Sequence, residues 1–175
     1  MYSIRLLLIL ASVLTHSSIS QSFPQTLPRP NHDSCSAAQE IATLPFSGVS
    51  SNTGALPSFN NADCQVDSLA RGIWYRYVPS QSANLYARMV QFRPNFEAQL
   101  TLLRGDACDN LSCRYFDRAT QFSFAWSDVW ATFAAAAGEP VWLLVHGADY
   151  GDDGQFRLEV TVRRYYGYGL AGKES

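Results

Sequence analysis

The sequence predicts an all-β protein, arranged as a sandwich or a barrel. One observation is residues 155–163, where Phe156, Leu158, Val160 and Val162 alternate with polar or charged residues, as in a strand with one buried face. A second is the recurrence of strand patterns about every eight to twelve residues, with turn-forming residues between them. A third is that no stretch has the length and period of the helix in a βαβ unit.

Several segments carry strand patterns, and most are rich in aromatic or β-branched residues, which favour a pleated sheet. In chain order they are residues 44–50, 72–78, 83–92, 98–104, 112–116, 122–126, 129–133, 141–145 and 156–162. Residues 141–145 are apolar on both faces, which predicts a more deeply buried strand than 156–162. Before the first strand, residues 31–40 predict one helical turn, capped by Asp33 or Ser34.

Residues 147–154 contain three glycines and three aspartates. Glycine supplies the positive-φ positions of a tight connection, and aspartate hydrogen-bonds to its own turn. The segment therefore predicts an acidic loop that joins the last two strands as a β-hairpin.

Residues 1–20 predict a secretory signal peptide. Arg5 supplies the positive charge of such a signal, residues 6–14 form an apolar run, and Ser18 and Ser20 are the small residues that precede a cleavage site. The run is too short to cross a bilayer, which needs about 20 apolar residues. No second apolar run of that length follows, so we expect a secreted, extracellular chain without a membrane span.

The remaining chain has the size of one domain. The proline-containing residues 21–30 predict a flexible leader, residues 31–163 predict the β-sandwich domain, and the glycine- and tyrosine-rich residues 164–175 predict a disordered tail. The formal net charge is −2 for the full sequence and −3 without the signal peptide, because Arg5 leaves with it. This charge argues against a nucleic-acid partner, which needs a basic face.

Four cysteines in an exported chain favour two disulfides, for which three pairings exist. Cys108 and Cys113 have four residues between them, enough for a small closed loop, so we expect Cys108–Cys113 and, across a longer segment, Cys35–Cys64. The alternatives are free buried thiols and zinc binding. Zinc is disfavoured because the cysteines lack paired C-x-x-C spacing and histidine partners.

The order and spacing of several short motifs carry a resemblance to a known family. The motifs are Asn31-His-Asp-Ser-Cys35, Trp74-Tyr-Arg-Tyr77, Phe96-Glu-Ala-Gln-Leu-Thr-Leu-Leu-Arg-Gly-Asp-Ala-Cys108, and the closing Ala137, Gly138, Val145, Gly147, Gly154, Phe156, Leu158 and Val160. In this pattern the chain resembles the bacterial pre-peptidase C-terminal domain superfamily, in its secreted, disulfide-bearing form, with Glu97 in place of an aspartate. The resemblance implies a jelly-roll-like antiparallel β-sandwich, non-catalytic, of the kind that secreted hydrolases carry as a targeting or substrate-contact module.

The acidic loop is the candidate metal site. Asp149, Asp152 and Asp153 offer hard oxygen ligands on a glycine-rich loop, which suits Ca²⁺. Some members of the resembled family bind calcium with ligands partly from the start of the domain, which implies that Asp33 and Asn31 join the site. The alternative is a solvated acidic turn, because the spacing lacks the order of an EF-hand loop.

Three tryptophans are candidates for stacking against sugar rings. Trp74, Trp130 and Trp142 are out of phase with the apolar residues beside them, which predicts outward-facing indoles. The alternative is a place in the core, because a sandwich has two inner faces and large aromatic residues are more often buried. Asn110, in the sequon Asn110-Leu-Ser112, is a candidate N-glycosylation site in a eukaryotic host.

Catalytic motifs are absent from the sequence: it has no G-x-S-x-G, no H-E-x-x-H and no cysteine–histidine arrangement. Glu97 and Glu139 are the first carboxylates to consider for a glycosidase pair. The sequence therefore favours a non-catalytic module for extracellular binding or adhesion, with a protein or polysaccharide as partner. A carbohydrate-binding module and a small secreted hydrolase are the alternatives, and the oligomeric state stays open.

Overall fold

Two stacked β-sheets make up the computed structural model, which describes residues 28–57, 64, 66, 70–92, 97–118, 128–149 and 151–163. The predicted signal peptide, residues 21–27, the strand pattern 122–126 and the tail 164–175 lie outside these ranges. The strands are β1 (Gln39–Ile41), β2 (Phe46–Ser51), β3 (Gly72–Tyr77), β4 (Ala83–Gln91), β5 (Ala98–Arg104), β6 (Ser112–Arg118), β7 (Asp128–Ala135), β8 (Val141–Gly147) and β9 (Gln155–Val162). No helix in the described residues is long and apolar enough to cross a membrane.

The five-stranded sheet has the order β1-β3-β8-β5-β6, and the four-stranded sheet has the order β2-β9-β4-β7. Neighbouring strands are antiparallel, except that β1 pairs with β3 in parallel. The predicted antiparallel β-sandwich is confirmed. Strand β1 was not predicted, because three residues are too few for an alternation to be recognised.

The last two strands do not form the predicted hairpin. β8 pairs with β3 and β5 in one sheet, whereas β9 pairs with β2 and β4 in the other. Residues 148–154 therefore connect the two layers rather than two neighbouring strands. The two patterns reflect this difference, because β8 is buried along its whole length at the centre of its sheet and β9 alternates between a buried and a solvent-facing side.

The main core lies between the sheets and is apolar throughout. The five-stranded sheet contributes Ile73, Tyr75, Leu100, Leu102, Val141, Leu143 and Val145, and the four-stranded sheet contributes Leu85, Ala87, Met89, Val129, Ala131, Phe156, Leu158 and Val160. Val162, the last member of the predicted core face of β9, is exposed at the end of its strand.

A second apolar layer covers the outer face of the five-stranded sheet. Trp74, Leu103, Trp142 and Leu144 point away from the main core and pack against residues that precede β3 in the chain, namely Cys64, Val66 and Ala70. Among the described residues, the five-stranded sheet is therefore buried on both faces, whereas the four-stranded sheet is buried on one.

Both disulfides attach this second layer, and the predicted pairing is wrong. The bonds are Cys35–Cys108 and Cys64–Cys113, not Cys35–Cys64 and Cys108–Cys113. Cys113 lies in strand β6 opposite Leu103, on the face that the covering segment buries, while Cys108 lies in the loop before β6. The two cysteines of the β5–β6 hairpin thus bind two separate upstream segments. No free cysteine is present in the chain.

The predicted helical turn is a short 3-10 helix, Cys35–Ala37. Neither predicted cap is made. Ser34 stands at the N-cap position, but its hydroxyl makes no capping hydrogen bond and lies 3.4 Å from the Ser36 hydroxyl. The Asp33 carboxylate binds Arg29 and the Leu56 N–H.

Candidate binding surface on the four-stranded sheet

The structure separates the three candidate tryptophans. Trp74 is fully buried, and Trp142 is buried too, with its indole N–H donating to the Gly105 carbonyl at 2.9 Å. The predicted direction, away from the main core, is right for both residues. The predicted exposure is wrong because the second apolar layer covers this face. Trp74 and Trp142 are therefore unable to stack on a sugar in this structure.

Trp130 is the candidate that remains at the surface, with 52% of its residue area exposed. It lies on β7, and its ring stacks against Tyr86 of β4, with 6.3 Å between ring centroids and 29° between the planes. Tyr86 lies opposite Thr132 in the register of these strands, so the two rings form a diagonal cross-strand pair. The pair is an aromatic platform on the outer face of the four-stranded sheet.

Charged side chains lie beside this platform on the same face. Arg88, directly opposite Trp130, donates to the Asp128 carboxylate and lies 3.8 Å from Glu159 Oε2. The hydrogen bond to Asp128 raises the pKa of Arg88, and the nearby charge of Glu159 acts in the same direction. Arg157 lies 3.5 Å from the other Glu159 oxygen, and its guanidinium lies 5.4 Å from the Phe92 ring centroid. These pairs hold the charged side chains in place beside the rings.

The acidic loop is organised by a residue that was not predicted as functional, Asn52. Its side-chain amide donates to the Arg71 carbonyl at 3.0 Å and to the Asp152 carbonyl at 3.1 Å, and its oxygen accepts from the Gly154 N–H at 2.8 Å. Asn52 is fully buried. The Asp152 carbonyl, a ligand type that Ca²⁺ uses, therefore already has a protein donor.

The carboxylates of the acidic loop are not gathered in one place with Asp33. Asp149 is exposed, and its N–H donates to the Asp152 carboxylate at 3.3 Å. Burial raises the pKa of Asp152, although the hydrogen bond from the Asp149 N–H opposes the shift. No group of three or more His, Cys, Asp or Glu side chains in the described ranges is close enough to hold a metal ion.

Asp33 is a buried anchor with its own partners. Its carboxylate accepts from Arg29 at 2.8 Å and from the Leu56 N–H at 3.1 Å. Burial opposes its ionisation, but the hydrogen bonds from Arg29 and Leu56 outweigh that effect and lower its pKa. Asn31, the other predicted ligand from the start of the domain, is exposed. Among the described residues, these interactions make Asp33 a structural ion-pair residue.

The carboxylates considered for catalysis lie at opposite ends of one strand. The Glu97 backbone carbonyl accepts from the Ala148 N–H just beyond the end of β8, while Glu139 precedes the start of β8. Seven residues of extended chain span about 20 Å, well beyond the roughly 5–10 Å that separates a glycosidase pair. Glu97 and Glu139 therefore do not form such a pair.

A threonine–histidine pair has the hydrogen-bond order of a nucleophile and its base, but it is enclosed. Thr101 Oγ1 lies 2.9 Å from His146 Nε2, and His146 Nδ1 lies 2.8 Å from the Gly147 carbonyl. Because a carbonyl only accepts, Nδ1 carries the proton and Nε2 accepts from the threonine hydroxyl. Both residues are buried on the covered face of the five-stranded sheet, so the pair is structural.

Asn110 is exposed in the loop between β5 and β6. Its N–H donates to the Ala107 carbonyl at 3.1 Å, which closes a turn around the residue. The position is accessible, and N-glycosylation there stays a prediction.

Comparisons with known proteins find similarity among solved structures. The chain is similar to the pre-peptidase C-terminal domain of a collagenase from Bacillus anthracis, with 17% identity, 71% of this chain and 94% of that chain covered, and a TM-score of 0.45. It is similar to a surface-associated copper-binding protein important in copper acquisition in Methylomicrobium album BG8, with 8% identity, 74% and 100% coverage, and a TM-score of 0.49. A family 16 carbohydrate-binding module shares 13% identity over 54% of this chain and 70% of that chain, with a TM-score of 0.32.

The collagenase domain carries the name of the family that the sequence resembles. No protein-family model and no curated protein matches the chain.

Proposed function

We propose that this chain is a secreted, non-catalytic binding module that holds extracellular polysaccharide on the outer face of its four-stranded sheet. The observation that carries the proposal is the stacked Trp130–Tyr86 pair on an open sheet face. An exposed aromatic plane packs against the apolar C–H face of a sugar ring, and its burial removes apolar area from water.

The setting of the pair supports a ligand with many hydroxyl groups. Arg88, Asp128 and Glu159 place hydrogen-bond donors and acceptors next to the indole. Because they bind each other, these side chains are already oriented before a ligand arrives, which lowers the entropy lost on binding. Thr132 and Thr161 lie on the same face, on either side of Tyr86, and add hydroxyls.

The exported location is supported by the predicted signal peptide together with two disulfides, because such bonds persist in oxidising compartments. A binding role rather than a catalytic one is supported by the site itself. The open face carries rings and paired charges, and the histidine with a hydroxyl partner is enclosed. A calcium ion at the acidic loop stays a prediction, with Asp149, Asp152 and Asp153 as its carboxylates.

Binding to insoluble cellulose, chitin and xylan, followed by affinity measurement with soluble oligosaccharides of whichever polymer retains the protein, tests the proposal. We expect Trp130→Ala to weaken binding roughly thirtyfold, equivalent to about 2 kcal/mol, as for an aromatic anchor at the centre of an interface. Trp130→Phe keeps an aromatic plane and should retain part of the affinity.

Leu56→Ala is the matched control, since Leu56 is also exposed and apolar but lies between β2 and β3, outside the strands β4 and β7 that carry Tyr86 and Trp130. It should bind as the wild type does. Binding that survives Trp130→Ala unchanged would place the ligand elsewhere, and failure to bind any polysaccharide would refute the proposed ligand class.

A further inference from the structure

Strand β2 is an edge strand that, within the part of the chain the structure describes, lacks the usual features that protect an edge. In the described chain it pairs only with β9, through six consecutive residue pairs without a bulge. Its sequence, Phe46-Ser-Gly-Val-Ser-Ser51, has no charged residue and no proline. Charges, prolines, bulges and short length are the means by which proteins keep such edges from pairing with another chain.

The other edge strands are short, carry charge, or contact the opposite sheet. β1 has only three residues. β6 contains the charged Arg114, is bonded through Cys113 to Cys64, and pairs with β5 across an irregularity in register. β7 contacts β5 and β6 of the opposite sheet, and its Ala134 carbonyl accepts from Arg104. β2 is therefore the long, uncharged edge of the described sheets.

The direction of the backbone groups on β2 follows from one hydrogen bond. The Asn52 N–H donates to the Gly154 carbonyl, so residues 46, 48, 50 and 52 direct their N–H and C=O groups towards β9. The Phe92 N–H donates to the Gln155 carbonyl, which shows that the alternate residues of β9, beginning with Gln155, direct their backbone groups towards β4. Ser47, Val49 and Ser51 therefore direct their backbone groups to the open edge.

The same strand carries the most exposed large apolar side chain in the described residues, Val49, at 67%. The opposite face of β2 is covered by its own aromatic side chain. The Phe46 ring lies over Gly48, 2.7 Å from where a Cβ of residue 48 would stand, and it meets the Tyr75 ring edge to face. An exposed valine in the middle of an open edge removes apolar area from water if a second strand pairs there.

We propose that two copies of this chain associate through antiparallel pairing of their β2 strands, which joins the two four-stranded sheets into one of eight strands. A register centred on Val49 is self-complementary. Val49 lies opposite Val49 of the second copy, and Ser47 lies opposite Ser51, so every residue with outward backbone groups meets another. No like charges meet, because β2 has none. A second copy fits this edge because the residues with outward backbone groups, Ser47, Val49 and Ser51, read the same in both directions about Val49.

Antiparallel pairing has a two-fold axis normal to the sheet, so the outer faces of both copies point the same way. The two Trp130 platforms are then separated by seven strand spacings, or about 34 Å. The association does not rest on the proposed function. If that function holds, however, the dimer presents two platforms to one polymer, which raises affinity without any new contact.

Light scattering coupled to size-exclusion chromatography on the purified full chain tests the association, with no polysaccharide present. We expect a mass twice that of the monomer at about 100 μM and a monomer on dilution. Val49→Lys places two ammonium groups directly opposite each other and should weaken association at least tenfold. Val49→Pro removes an outward N–H, a position where an edge strand tolerates proline, and should act in the same direction without a charge.

Val78→Lys is the control, because Val78 is an exposed valine beyond the end of β3, and it should associate as the wild type does. Circular dichroism confirms that each variant is folded. A monomeric wild type at the highest concentration overturns the proposal, and so does a dimer that both Val49 variants leave intact. Either result leaves the polysaccharide test unaffected, because that test depends on Trp130 and not on β2.

Discussion

Acid should destabilise this fold through one enclosed histidine, His146. Only 1% of the residue is exposed, and it lies on β8 beneath the second apolar layer, opposite Gly72 of β3 and Gln99 of β5. Burial lowers the pKa of His146 to about 4, although its hydrogen bond to the Gly147 carbonyl partly opposes the shift. A proton on Nε2 would also displace the hydrogen bond that Thr101 donates there.

The magnitude follows from the difference between the folded and unfolded pKa values. The unfolded histidine has a pKa of 6.5, so between that value and pH 4 His146 is largely protonated in the unfolded chain and largely neutral in the folded chain. The free energy of unfolding is therefore unaffected by protonation of His146 above pH 6.5, and it decreases as the pH falls from 6.5 towards 4. At about pH 4.5 the loss amounts to roughly 2.5 kcal/mol, since one pKa unit corresponds to about 1.4 kcal/mol.

Urea unfolding of the wild type and of His146→Gln, at about pH 7.5 and about pH 4.5, measures this loss. Glutamine offers a donor and an acceptor but does not titrate, so other acid-sensitive groups cancel in the comparison. We expect the wild type to lose roughly 2.5 kcal/mol more than His146→Gln over this interval. Equal losses in the two proteins, or an NMR titration that gives His146 a pKa near 6.5 in the folded state, would refute the reasoning.

Two further predictions concern the acidic loop. Asn52→Ala removes three side-chain hydrogen bonds, those to the Arg71 and Asp152 carbonyls and to the buried Gly154 N–H, so we expect it to destabilise the fold by about 3 kcal/mol in urea unfolding. An effect below about 0.5 kcal/mol would show that the loop does not depend on this residue. If Asp149, Asp152 and Asp153 bind calcium, the melting temperature should rise with Ca²⁺ relative to a chelator, because a ligand of the native state stabilises it. Equal melting temperatures would exclude a calcium ion from the loop.

The positions of the strands could be predicted because alternation is a local property. Val141, Leu143 and Val145 of β8 and Phe156, Leu158 and Val160 of β9 all lie in the core as their patterns indicate. Which sheet each strand joins could not be predicted in this way. A strand that is apolar on both faces fits the centre of either sheet, and the loop 147–154 is as suitable for crossing between layers as for a hairpin.

The covering layer explains the errors at the candidate site. The segment that buries Trp74 and Trp142 contributes Cys64, Val66 and Ala70. Its sequence has no strand or helix period, so it did not predict a second core. The same layer determines the disulfides, because Cys113 faces it from β6. Tyr86 and Arg88 were not predicted because they join Trp130 only through the pairing of β4 with β7, a contact distant in sequence.

The most direct test of the open-face account is an NMR titration of the tryptophan indole N–H signals with soluble oligosaccharides of cellulose, chitin and xylan. Among Trp74, Trp130 and Trp142, we expect the Trp130 signal alone to shift with an oligosaccharide that binds. A shift at Trp74 or Trp142 while Trp130 stays unchanged would contradict it, because the ligand would then lie against the covered five-stranded sheet.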